Sequence, residues 1–301
     1  MGVKRVTSLD VARRAGVSRT TVSFVLNDVR GMQISEETKQ RVLQAARDLG
    51  YVPDAAAQAL ASGRSKNIGL LLARRPHIIA SDMFLTQILD VLAHEINRHG
   101  MRLLLQIVED FQDREAYLKL VRSNSLDGVI YSGPRIEDAP LFSLIEHNIP
   151  TVLMGTLPGT GYYFVDVDNR AAANRAVSHL IGLGHERIGI ITNAPPVYVA
   201  AVDRLQGYQD ALANAHLPLD QGLVRYGEFD PESGYEQMKY LLDAPSPPTA
   251  VFVASDVVAF GAMAAIRERG LNIPRDIALV GFDDVPVSRY IEPSLTTIQL
   301  P

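Results

Sequence analysis

The sequence contains no cysteine. That absence removes disulfides, thiolate zinc sites and cysteine nucleophiles together, and it is consistent with a reducing cytoplasm. No run approaches the ~18 consecutive apolar residues of a membrane span. The opening MGVKRVTSLDVARR turns polar before any apolar stretch can form, so no signal peptide is expected. The familiar catalytic signatures are missing as well: no phosphate loop, no Gly-x-Ser-x-Gly elbow, no His-Glu-x-x-His. Gly182 and Gly184 follow a helical stretch and precede a strand, the reverse of the dinucleotide-binding order. His94 and His99 lie on an amphipathic helix and are expected to hold no metal, and His185 is read as structural. Asp283 and Asp284 are adjacent at a strand end, where successive side chains do not face the same way. These absences point to a chain that is not an enzyme and needs no cofactor.

What is present is an ordinary globular composition, 47% hydrophobic over 301 residues, with an uneven charge. The whole chain carries −5, but residues 1–66 carry +5 and the remainder −10. A basic head on an acidic body concentrates attraction for phosphates at one end.

The head reads as three short helices. Thr7 and Asp10 form a capping pattern before the first, and Gly16 permits a tight turn. Ser18 caps a second helix running to about Asn27, with Val22 on its inner face. Ala12, Gly16 and Val22 fall where a helix-turn-helix needs a small residue, a turn glycine and a packing residue. Ser35, Glu36 and Glu37 open a third helix whose stripe is Val42, Ala45, Ala46 and Leu49, and Gly50 ends it. Beyond it, Asp54 can cap a helix reading AAAQALAS, with Gly63 as its stop. That stretch is shorter than the ~12–15 residues an isolated helix needs in water.

The segments VTSLDVARRAGVSRTTVSFVLND and ISEETKQRVLQAARDLGYVPDAAAQALASGRS resemble the DNA-binding head and hinge of the LacI/GalR family of bacterial repressors. The resemblance implies base-edge contacts from Arg19 and Thr20 at the start of the recognition helix, with Phe24 one turn on. Many relatives carry Arg at that position. Phe24 offers only apolar contact, for instance with a thymine methyl, or packs against the head itself. Ser18, Thr21, Ser23 and Asn27 are read as phosphate contacts that set register. The resemblance also makes Leu60 a wedge for the minor groove, with Ala57 small enough for close approach of a second hinge helix.

From Asn67 onward, short apolar runs (IGLLLA, RLLLQIV, DGVIYSG, PTVLMG, RIGIIT, AVFVAS, IALVGF) alternate with helical stretches. Their near-continuous hydrophobicity predicts parallel strands buried on both faces. Two such series, before and after about Asp166, predict two doubly wound α/β lobes with ligand at the carboxyl ends of the strands, a duplication that resembles the two-lobed fold of the LacI/GalR family and of periplasmic sugar-binding proteins. The expected organisation is a helix-turn-helix domain over 1–52, a hinge over 53–66, and a two-lobed effector domain over 67–301. Its first lobe takes 67–165 plus the chain end, and its second 166–292. In the family, SLTTIQLP is a third crossing between lobes, followed by a further helix and strand that this sequence does not contain.

For the cleft, the resemblance gives Arg204 as the effector-binding arginine and Asp283 as an acceptor for sugar hydroxyls. Ser255 supplies a second polar position and Phe229 an aromatic wall, while Asp82 and Phe84 form the other jaw. The expected partners are pseudo-palindromic double-stranded operator DNA, a small-molecule effector of sugar type, and a second copy of the chain, with no membrane. Ile88, Leu92 and Ile96 on the helix FLTQILDVLAHEI are a candidate dimer surface. The competing reading is a small-molecule-binding protein of periplasmic type without a DNA role.

Overall fold

In the computed structural model, residues 6–27, 32–54, 58–59, 62–74, 76–108 and 113–301 are described. The chain divides into two compact units, Met1–Lys66 and Asn67–Pro301.

The first unit is helical. Helix α1 (Ser8–Ala15) starts at a closed capping box, in which Thr7 and Asp10 each satisfy the other's backbone N–H. It stops at Gly16, which sits in the left-handed region at φ +66°. Helix α2 (Arg19–Leu26) is capped by Ser18, whose hydroxyl accepts from the Thr21 amide at 3.0 Å. Helix α3 (Glu36–Asp48) is capped in the same way by Ser35. Val11, Ala12, Ala15, Val22, Val42, Ala45 and Ala46 make one small core, and the alanines let the three helices approach closely. Helical hydrogen bonds then run from Gln58 to Asp54 and from Gly63 to Ala59, with Gly63 at φ +69°.

The second unit holds two parallel sheets. The first comprises β1 (Asn67–Leu72), β2 (Arg102–Ile107), β3 (Gly128–Ser132), β4 (Thr151–Met154) and β5 (Tyr163–Val165), in the order β2-β1-β3-β4-β5. Helices α4 (Pro76–Ser81) and α5 (Met83–Arg98) follow β1, α6 (Ala116–Ser123) follows β2, and α7 (Ala139–Glu146) follows β3. The second sheet comprises β6 (Ile188–Thr192), β7 (Val224–Tyr226), β8 (Ala250–Val253), β9 (Ala278–Asp283) and β10 (Thr297–Gln299), ordered β10-β9-β8-β6-β7. Helices α8 (Asn169–Gly182), α9 (Val199–Asn214), α10 (Pro231–Leu242) and α11 (Asp256–Glu268) cover both its faces.

Two expectations change here. RLLLQIV becomes β2, an edge strand rather than one buried on both faces: Leu105 is 41% and Ile107 39% exposed, because among the described residues only β1 pairs with it. The chain end was expected to rejoin the first lobe, but its last strand, β10, pairs in register with β9 of the second sheet. Ile298 and Leu300 pack against the core of that lobe, and Thr297 joins a buried polar cluster. Asp256, fully buried at the start of α11, accepts from Thr297 Oγ1 and Ser288 Oγ, both at 2.6 Å, and from the Val285 amide at 3.0 Å.

The two lobes also touch along the cleft. The segment after β3 and the segment before α9 exchange backbone hydrogen bonds, Ile136 N to Val197 O at 2.8 Å and Val199 N to Pro134 O at 3.4 Å. Tyr198 OH donates to Ala73 O at 3.2 Å.

Candidate functional site

Both sheets point their carboxyl ends at one cavity of about 480 Å3, within the usual range for a small-ligand site. Its polar floor is built on the second lobe. Arg204, on the second turn of α9, is buried and locked: Nε donates to Asn169 Oδ1 at 2.9 Å and Nη1 to Ala254 O at 2.6 Å. Its guanidinium lies 3.7 Å from the Phe282 ring centroid. Asn169 is itself fixed by Asp166, whose Oδ1 accepts from Nδ2 at 3.0 Å. Asp283, the last residue of β9, stands 3.9 Å from Arg204 Nη1 through Oδ1, too far for a hydrogen bond. Its other oxygen accepts from Ser255 Oγ at 3.1 Å. Ser255 occupies the cap position of α11, yet its hydroxyl makes no capping bond and serves Asp283 instead.

Burial drives the electrostatics. Removal from water pushes the Asp283 carboxyl up to about 7, against the pull of Arg204, with Asp256 and Asp82 adding to the rise. Burial likewise lowers Arg204 from its ordinary value. The Asp283 backbone lies at φ +119°, a region that side chains rarely adopt. Strain of ~1–3 kcal/mol held at a cavity wall is characteristic of functional positions.

On the first lobe, Asp82 caps α5, accepting from Leu85 N at 3.0 Å, and its second oxygen accepts from Arg74 Nη1 at 2.5 Å. Phe84 follows on the first turn of α5 and lines the cavity. Phe229, at φ +60°, is held by its amide donating to Asn193 O at 2.8 Å. It packs edge-on against Tyr198 at 5.0 Å and carries the Arg74 guanidinium 4.2 Å from its centroid. Asp82, Phe84, Arg204, Phe229, Ser255 and Asp283 are therefore brought to one cavity.

Sequence reasoning missed Arg74, Asn169, Asn193 and Tyr198, which line the same cavity. Arg74 and Asn193 come directly after the apolar runs IGLLLA and RIGIIT, the one signal that could have found them. Ile88, Val91 and Leu92 line the cavity too, Val91 at its open edge with 61% exposure. Asp284 turns away from Asp283 and pairs with Arg289 at 3.5 Å. His185 bonds Thr249 Oγ1 at 3.0 Å. Among the described residues no group of three acidic or histidine side chains could hold a metal ion, and no helix is long and apolar enough to cross a membrane.

In the helical unit, Ser18, Arg19 and Thr20 are exposed at the start of α2. Arg19 Nε rests on Ser8 Oγ at 3.0 Å, and Ser18 Oγ meets Thr21 Oγ1 at 2.9 Å. Phe24 is half-buried and is not among the side chains packed on the helical core. Asn27 is engaged at both ends of its amide, donating to Ser23 Oγ at 3.2 Å and accepting from Gln58 Nε2 at 3.0 Å. Ala57 and Leu60 lie outside the described residues.

The family described as bacterial regulatory proteins, lacI family, matches residues 7–54, and a periplasmic binding protein-like domain matches residues 177–301. The GalR regulator of Salmonella typhimurium is 38% identical over 295 residues, covering 97% of this chain and 84% of the relative. The PurR repressor of Klebsiella pneumoniae is 34% identical over 296 residues, with the same coverage. This chain belongs to the lacI family of bacterial regulatory proteins. As a member of that family it is a DNA-binding regulator of transcription and not an enzyme. Among solved structures, the lac repressor dimer bound to operator and an anti-inducer superposes with a TM-score of 0.84 at 30% identity. It covers 99% of this chain and 88% of that one. The CelR–cellobiose complex superposes at 0.73 with 33% identity and the same coverage.

Proposed function

We propose that this lacI-family chain is a homodimeric repressor that binds a pseudo-palindromic operator and is switched by a polyhydroxylated ligand, a sugar or sugar derivative, held between its lobes. The observation that carries the ligand class is the floor of the cavity. Asp283 keeps one carboxylate oxygen without a hydrogen-bonding partner while Arg204 is locked beside it, flanked by Ser255 and the rings of Phe84 and Phe229. Directed acceptors beside aromatic faces suit a molecule with hydroxyls on one side and C–H faces on the other. The cellobiose-bound relative supports the same class.

Arg19 and Thr20 are the proposed base readers; Ser18, Thr21, Ser23 and Asn27 hold phosphates, with Phe24 against an apolar base edge. Ala57 and Leu60 are the proposed minor-groove contacts. Asp82, Phe84, Arg204, Phe229, Ser255 and Asp283 are the proposed effector contacts, and the proposed location is the cytoplasm, on the nucleoid. Fluorescence anisotropy against a library of palindromic duplexes, with and without cellobiose, galactose and other sugars, tests the whole reading. One duplex bound tightly, with affinity falling steeply as salt rises and shifting with one sugar, is the expected result. Equal binding to random DNA would overturn it.

A further inference from the structure

Among the described residues lining the cavity, two buried polar side-chain atoms have no hydrogen-bonding partner: Arg74 Nε and Asn193 Oδ1. One is a donor and the other an acceptor. Arg74 follows β1 of the first lobe and its side chain is only 10% exposed; Asn193 follows β6 of the second lobe and is 5% exposed. Both are fixed around Phe229. The Arg74 guanidinium lies over the ring at 4.2 Å, and the Asn193 carbonyl accepts from the Phe229 amide at 2.8 Å. Asp82 holds the Arg74 side chain through Nη1 at 2.5 Å, and the Phe229 amide fixes the Asn193 backbone from which its side chain projects. Leaving such atoms unpaired inside the protein is costly, a cost that a bound group of the right chemistry removes.

We infer that Arg74 and Asn193 form a subsite for one ligand hydroxyl, which accepts from Arg74 Nε and donates to Asn193 Oδ1. A hydroxyl is the smallest group that does both at once. The Arg74 charge is already paired with Asp82 at 2.5 Å, so a neutral hydroxyl fits there better than an anion. Since the two partners belong to different lobes, the same hydroxyl ties the lobes together and favours their closed arrangement. The assignment rests on the cleft being the effector site, and it adds a specificity-determining pair to the six residues already placed there.

Isothermal titration of the 301-residue chain with cellobiose, D-galactose and D-glucose identifies the sugar bound most tightly. Each monodeoxy version of that sugar is then titrated into the wild type, Arg74→Lys and Asn193→Ala. Lysine keeps the charge beside Asp82 but has no Nε donor in that place. One ring position is expected to cost about 10- to 100-fold in the wild type when its hydroxyl is removed, and under about threefold in either variant. A general packing defect would weaken all analogues alike and leave that ratio unchanged. Equal penalties in all three proteins would overturn the assignment while leaving the cleft as the sugar site, the pair then holding water only. If none of the three sugars binds the folded wild type, the sugar reading itself fails, and this assignment with it.

Discussion

Replacing Asp283 by asparagine should change how stability depends on pH. Burial raises the Asp283 carboxyl from the ordinary 3.8 to about 7 in the folded chain. Between those values the folded state holds a proton that the unfolded state has released, so native stability falls as pH rises and levels off above about 7. Each pH unit within the window is worth ~1.4 kcal/mol, so the contribution lost between pH 5 and pH 8 is ~2–3 kcal/mol. The variant Asp283→Asn keeps the shape, carries no titrating proton and still offers an oxygen to Ser255. Urea unfolding of both proteins at pH 5, 6, 7 and 8 isolates the effect, because Asp256, Asp82 and every other acid are common to both. The wild type should lose ~2–3 kcal/mol relative to the variant across that range. A difference that stays within about 0.5 kcal/mol from pH 5 to 8 would show that Arg204 keeps Asp283 ionised, and the burial argument would fall.

Other substitutions test the framework and the head. Gly207→Ala should cost ~1–3 kcal/mol, since a Cβ there would come within 2.2 Å of the Arg170 carbonyl where α8 and α9 meet; Gly182→Ala, with open space around it, should be neutral or slightly stabilising in the same thermal melts. Asp256→Ala leaves Ser288, Thr297 and the Val285 amide without their acceptor and should cost ~3 kcal/mol; a melting temperature within a degree of wild type would contradict that. Arg19→Ala should weaken operator binding by ~1–3 kcal/mol and relax specificity at one base pair; anisotropy showing uniform weakening on all sequences would make Arg19 a phosphate contact instead.

Much of this architecture was legible because it rests on local rules. Capping residues, turn glycines and helical stripes delimit the three head helices, and the apolar runs mark the principal strands. Arg204, Asp283 and Ser255 came from resemblance, and the structure shows why they stand together: all lie at or beyond the carboxyl ends of strands that face one cavity. Arg74 and Asn193 obey the same positional rule but look in sequence like any polar residue after a strand. Their distinction, a hydrogen-bonding atom left unpaired inside the protein, exists only once the tertiary structure has surrounded them. The edge position of β2 was hidden for a similar reason. Its composition matches that of a central strand, and only the pairing order decides how much of it meets solvent. The short strands β5, β7 and β10 carry too few residues for a periodic signal.

The hydrogen bonds between residues 134–136 and 197–199, together with Tyr198 on Ala73, give the cleft a clasp made by the protein and not by its ligand. These bonds join the two lobes whether or not a molecule lies between them. The joined arrangement therefore has contacts of its own, and a bound effector adds to them without having to create it. A regulator built this way starts from lobes its own backbone has already joined, and an effector shifts a balance that is weighted before it arrives.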